Sequence, residues 1–178
     1  MLPENTLAMN RPGALLLLGL ATLLAPPRRG AAEVVRPAPG IAFPAETGKP
    51  RTLHSFKGQP LILLLADSPN RSSFKAQLKE LAGAFDRLAV RSAVVAAGFK
   101  AGDPSTVRTN VPLVLLPDGA AACAAFHLKG DFAIVLVGPD GNIDYQTGKV
   151  LNMNRILEVM QNSYEIQKAT LGGGGSGR

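Results

Sequence analysis

Six consecutive apolar residues, Leu61–Ala66 (LILLLA), stand between Lys57-Gly58-Gln59-Pro60 and Asp67-Ser68-Pro69-Asn70. A run this short, closed at both ends by turn-forming residues, fits a strand better than a buried helix. It also lacks the apolar-polar alternation of a strand with one wet face. The run therefore predicts a strand covered on both sides, the environment at the centre of an α/β sheet. The rest of the chain must then supply neighbouring strands and two covering layers.

It does so in order. Phe74, Leu78, Leu81, Phe85 and Leu88 recur at steps of four and three, which places them on one helical face, with Lys75, Lys79, Glu80 and Arg87 opposite. Ser68 before Pro69, or Ser72, is the expected cap of that helix. Leu88–Ala97 reads as a returning strand, residues 98–110 as a loop, and Leu113–Leu116 as a short apolar strand. Ala120–Leu128 is alanine-rich and predicts a helix. Phe132–Val137 (FAIVLV) predicts a strand, Gly138-Pro139-Asp140-Gly141 a hairpin turn, and Asn142–Thr147 its partner. A last helix spans Asn152 to about Ala169, its buried stripe being Met153, Ile156, Leu157, Met160 and Tyr164. The expected fold class is α/β, a central mixed β-sheet flanked by helices, over residues 51–169. Residues 33–50 hold Pro37, Pro39, Pro44 and Pro50 without a period and read as a Pro-rich linker or an extended wrap. The Gly-rich residues 170–178 read as a flexible tail.

Residues 1–32 read as a signal peptide. Gly13–Ala25 is apolar with Arg11 just ahead of it; at about 13 residues it is short of the roughly 20 that span a bilayer. Gly30 and Ala32 suit cleavage after Ala32. Arg28 and Arg29 oppose translocation, which leaves an uncleaved anchor as the alternative. Met9-Asn10-Arg11 would make a more compact start, so residues 1–8 fit an over-extended beginning. Export to a periplasmic or secreted location is the expectation.

Composition removes several functions. The chain has no Trp and 5% aromatic residues, which argues against a stacking platform for single-stranded nucleic acid. The formal charge of +6 is spread along the chain without a run of cations, so no nucleic-acid patch is expected. His54 and His127 are the two histidines, and their spacing with the carboxylates suggests no metal site. No cofactor is implied. Asp118 and Asp140 sit in Pro-Asp-Gly turns, where Asp caps the backbone and Gly takes positive φ. Cys123 is the one cysteine, set among alanines, and reads as a small core residue.

Several words in this order resemble the thioredoxin fold, in particular its exported thiol-disulfide and peroxiredoxin-like branches. They are Leu53-His54-Ser55-Phe56-Lys57-Gly58-Gln59-Pro60-Leu61, then Pro117-Asp118-Gly119, then Phe126-His127-Leu128-Lys129-Gly130, then Val135-Leu136-Val137-Gly138-Pro139-Asp140-Gly141. The Gln77-Leu78 helix and the strand ending in Val137-Gly138-Pro139-Asp140-Gly141 look closest to a thioredoxin-like family of exported bacterial proteins. That family's activity is ill-defined, and its domain recurs in a vertebrate extracellular-matrix protein. The resemblance places redox cysteines at the head of the Phe74 helix, where this chain has Arg71 and Phe74. It places a cis-proline near Phe132, after Gly130-Asp131.

The expected function is thus a non-enzymatic exported domain that binds an envelope or extracellular protein. Asp67, Ser68, Asn70 and Arg71 are its candidate ligand- or partner-binding residues, because they follow a core strand's carboxyl end and open a helix; Phe132 joins them because the resemblance places near it the cis-proline that faces such a site. No catalytic residue is expected. The alternatives are a redox protein using Cys123 alone, or a binder of small anions at the Asp67–Arg71 loop.

Overall fold

A computed structural model of the chain describes residues 36–172; the predicted signal peptide lies outside them. The chain opens with three short strands, β1 (Arg36–Pro37), β2 (Ala42–Glu46) and β3 (Lys49–Thr52), and a 3-10 turn at Leu53–Phe56. Strand β4 (Leu61–Ala66) leads to helices α1 (Ser72–Ala82) and α2 (Phe85–Ala89), then β5 (Val94–Phe99). A 3-10 turn at Pro104–Thr106 precedes β6 (Val114–Leu115) and α3 (Gly119–Ala125). Strands β7 (Phe132–Val137) and β8 (Asn142–Thr147) and helix α4 (Met153–Gly172) complete the order.

The main sheet runs β1-β8-β7-β4-β5-β6. Strand β4 pairs parallel to β5 and antiparallel to β7, so it lies in the interior of a mixed sheet, as its unbroken apolar run requires. All six of its side chains are buried. Alternate residues serve opposite layers. Ile62, Leu64 and Ala66 join Phe74, Leu78, Leu81, Ile156 and Leu157 under α1 and α4. Leu61, Leu63 and Leu65 join Cys123 of α3 and its C-cap residue Phe126, with Phe43 and Phe56 from the β2–β3 side. The fold is α/β with helices on both faces.

Four details depart from the sequence reading. The segment read as a linker is folded from Arg36 onward: β2 and β3 form a hairpin, and Ile41 and Phe43 are buried in the core. Pro37 is compatible with this because it lies in β1, the edge strand, where a missing N–H costs no ladder bond, and Pro44 falls where the β2–β3 register is irregular, between Phe43 and Glu46. The long helix breaks at Gly83. Ala84, at φ −147, leaves the helical region before α2 resumes the same apolar face with Leu88. The following strand starts at Val94, not Leu88, because Leu88 ends in α2 and Ser92 turns the chain at φ +52. Finally, the N-cap of α1 is Arg71, which makes no side-chain capping bond, rather than Ser68 or Ser72. Tyr164 lies outside the residues whose side chains are described.

Candidate functional site

Asp67 is the first residue to leave β4, and its backbone is held from both neighbouring strands. Its N–H donates to the Asp131 carbonyl at 3.0 Å, and its carbonyl accepts from the Ala101 N–H at 2.9 Å. This follows from register: Ala66 stands opposite Phe132 in β7 and Phe99 in β5. The residues beyond those strand ends, Asp131 and Lys100, are thereby brought to the flanks of Asp67.

Four charged side chains meet there. Lys100 Nζ is 2.9 Å from Asp67 Oδ1, and Arg71 Nη2 is 3.1 Å from Asp67 Oδ2. Arg71 Nη1 is 3.9 Å from Asp131 Oδ2. Two cations face two carboxylates. The hydrogen bond from Lys100 holds the Asp67 carboxyl below its ordinary range; partial desolvation opposes this, and the charges of Lys100 and Arg71 reinforce it. Asn70 is exposed beside the group, its Oδ1 accepting from Lys75 Nζ at 3.2 Å. The half-buried Ser68 uses its carbonyl, which accepts from the Arg71 N–H at 3.2 Å. Next to it, Pro69 is buried against Gly102, whose φ of +91 and 2.9 Å spacing from a notional Cβ to Pro69 Cδ leave no room for a side chain.

The structure thus brings Asp67, Ser68, Asn70 and Arg71 together at the head of α1. It does not bring Phe132 to their surface. Phe132 is 1% exposed and packs into the cluster beneath α1. Directly opposed residues of an antiparallel pair point to one face, so Phe132 follows Ala66 inward. Phe74 is buried as well, its ring edge-on to Phe99 with centroids 4.9 Å apart. Lys100 and Asp131 were missed by the sequence reading. The signal that finds them is positional, since each adjoins the end of a strand flanking β4.

No family model matches the chain, and no curated protein matches it. Solved structures do. A Neisseria meningitidis protein described as a thioredoxin superposes with a TM-score of 0.61 at 16% identity, covering 74% of this chain and 92% of that one. A Chlorobium tepidum protein described as a thiol:disulfide interchange protein DsbE gives 0.58 at 13% identity, covering 72% and 96%. The reduced 2-Cys peroxiredoxin of Plasmodium vivax gives 0.57 at 17% identity, covering 74% and 96%. The fold is thioredoxin-like.

On this thioredoxin-like sheet the chain's one cysteine is in α3 rather than at the head of α1, buried beside the Ala66 peptide. Cys123 is 1% exposed, with Sγ 3.8 Å from the Ala66 carbonyl and 3.9 Å from that of Gly98. Burial pushes its thiol pKa up, the reverse of what a reactive thiol needs. Asp118 caps α3 by accepting from the Ala121 N–H at 2.8 Å, and Asp140 accepts from the Asn142 N–H at 3.0 Å in its turn. Among the described residues no three His, Cys, Asp or Glu side chains converge as a metal site would require. Among the same residues no helix is long and apolar enough to cross a membrane.

Proposed function

We propose that this chain is an exported domain of thioredoxin-like fold that binds an envelope or extracellular protein through the head of α1 and transfers no electrons there. The observation that carries this reading is the makeup of that helix head. By the resemblance, Arg71 and Phe74 stand in the two redox-cysteine positions; one is engaged with Asp67 and Asp131, and the other is sealed in the core. A thioredoxin-type thiolate exploits the helix N-terminus to lower its pKa. A guanidinium and a buried ring supply neither nucleophile nor electron donor. The cluster remains exposed and ordered by its own ion pairs, at the carboxyl end of a core strand where α/β proteins present ligand-contacting loops. Balanced charge suits a polar protein surface with its own paired charges better than a free anion, which would have to displace a carboxylate from each cation. Export rests on the apolar Gly13–Ala25 segment and the small residues up to Ala32.

A photoreactive amino acid placed at Asn70 in the exported protein tests the reading. We expect it to crosslink a discrete envelope protein, a product lost with Arg71→Glu and absent when the probe is at Glu80. Equal crosslinking from both positions, or a product indifferent to Arg71, would overturn it. The redox alternative draws support from the described activities of the structural neighbours, but it has to use Cys123, whose burial and raised pKa work against it.

A further inference from the structure

On the α3 face of the sheet lies a groove of about 700 Å³, within the size range of small-ligand sites. Its floor includes the buried apolar residues Phe126, Ala133 and Ile143, while Arg36, His127 and Lys129 line it from exposed positions. Among the described lining residues there is no carboxylate. This contrasts with the head of α1, where each cation has an acidic partner.

Arg36 is held in place rather than free. Its Nη2 donates to Gln146 Oε1 at 2.6 Å, and Gln146 Nε2 donates in turn to the Phe126 carbonyl at 2.8 Å. The guanidinium keeps further N–H donors, in a planar fork that matches a carboxylate. His127 adds a second feature. Helix α3 ends in a Schellman motif, with the Leu128 N–H bonded to the Cys123 carbonyl at 2.9 Å and the His127 N–H to the Ala124 carbonyl at 3.0 Å. The residue after the cap in this motif takes left-handed backbone and is usually Gly; here it is His127, at φ +52. A side chain is thus kept, at a conformational cost, where it lines the cationic groove.

We infer that this groove binds a small organic carboxylate with an apolar body, the head meeting Arg36, Lys129 and His127 and the body covering Phe126, Ala133 and Ile143. This site is separate from the proposed partner surface, and either can fail without the other. Calorimetric titration of the full chain with octanoate and with phenylpropionate tests it, with octanol and inorganic phosphate as probes lacking the head or the body. The expected result is saturable one-to-one binding of at least one carboxylate, with both controls weaker by about tenfold or more. Arg36→Gln combined with Lys129→Gln should weaken binding by a similar factor while leaving the melting temperature in place. His127→Gly should raise the melting temperature of the unliganded protein and weaken binding. Absence of saturable binding by either carboxylate in the millimolar range, or binding unchanged in the Arg36/Lys129 double variant, overturns the inference.

Discussion

Asp67 and Cys123 sit on either side of the Ala66 peptide and respond to pH in opposite ways. The folded-state pKa of Asp67 is depressed, chiefly by the Lys100 hydrogen bond, so its contribution to stability is present above the unfolded value near 3.8 and is lost as pH falls through the folded value. Asp67→Asn should therefore be less stable than wild type at neutral pH, and the two melting curves should converge below about pH 4. For Cys123 the folded-state pKa is raised by burial, so an unfolded chain ionises first. Stability linked to the thiol is intact below the ordinary thiol value of 9.0 and declines as pH rises beyond it. Cys123→Ala should lose less stability than wild type between pH 8 and 10 in denaturant titrations.

Two contacts between elements carry weight out of proportion to their size. Gln77 of α1, fully buried, donates from Nε2 to the Leu151 carbonyl at 3.0 Å and accepts at Oε1 from the Leu151 N–H at 2.8 Å. It thereby ties α1 to the segment entering α4. Gln77→Leu strands both backbone groups and should cost about 2–4 kcal/mol in urea unfolding. Gly119 lets α3 approach β5 so closely that a Cβ there would collide with the Phe99 backbone. Gly119→Ala should destabilise by about 3 kcal/mol and speed the labelling of Cys123, because α3 must lift from the sheet. The sequence disclosed the elements unevenly, for physical reasons. Strands β4, β7 and β8 were legible to the residue because turn formers bracket them on both sides. Strand β5 was not, because Leu88 and Val90 extend an apolar run backward into α2, and only the turn at Ser92 separates them. The β2–β3 hairpin was hidden because its proline-rich segment has no period, and pairing across its turn supplies what periodicity would have shown. Asp67 and Arg71 could be found as a strand end followed by a helix start. Lys100 and Asp131 depend on register, a long-range property, and Phe132 was placed at the site by the resemblance, since an all-apolar strand does not itself reveal which face each residue takes.

At the scale of the described residues, a six-stranded sheet separates two cores, and the early segment belongs to the second. Phe43 packs on Phe56 with ring centroids 4.5 Å apart, and Ile41 lies in the same cluster. A chain started at residue 51 loses both side chains and should be less stable than one started at residue 33 by about 3–6 kcal/mol, measured by thermal unfolding. The same two-layer arrangement buries the single thiol under α3, beside the Ala66 peptide, and the proposed separation of the shared fold from the chemistry described for its structural neighbours rests on that burial. The most direct test of that separation is the rate at which a disulfide reagent modifies Cys123 in the native protein at neutral pH, with hydrogen peroxide consumption followed alongside. The account predicts modification no faster than opening of the fold, accelerated by denaturant, and no peroxide consumption above background. Rapid stoichiometric modification of the native thiol, with peroxide turnover that disappears in Cys123→Ser, would contradict it.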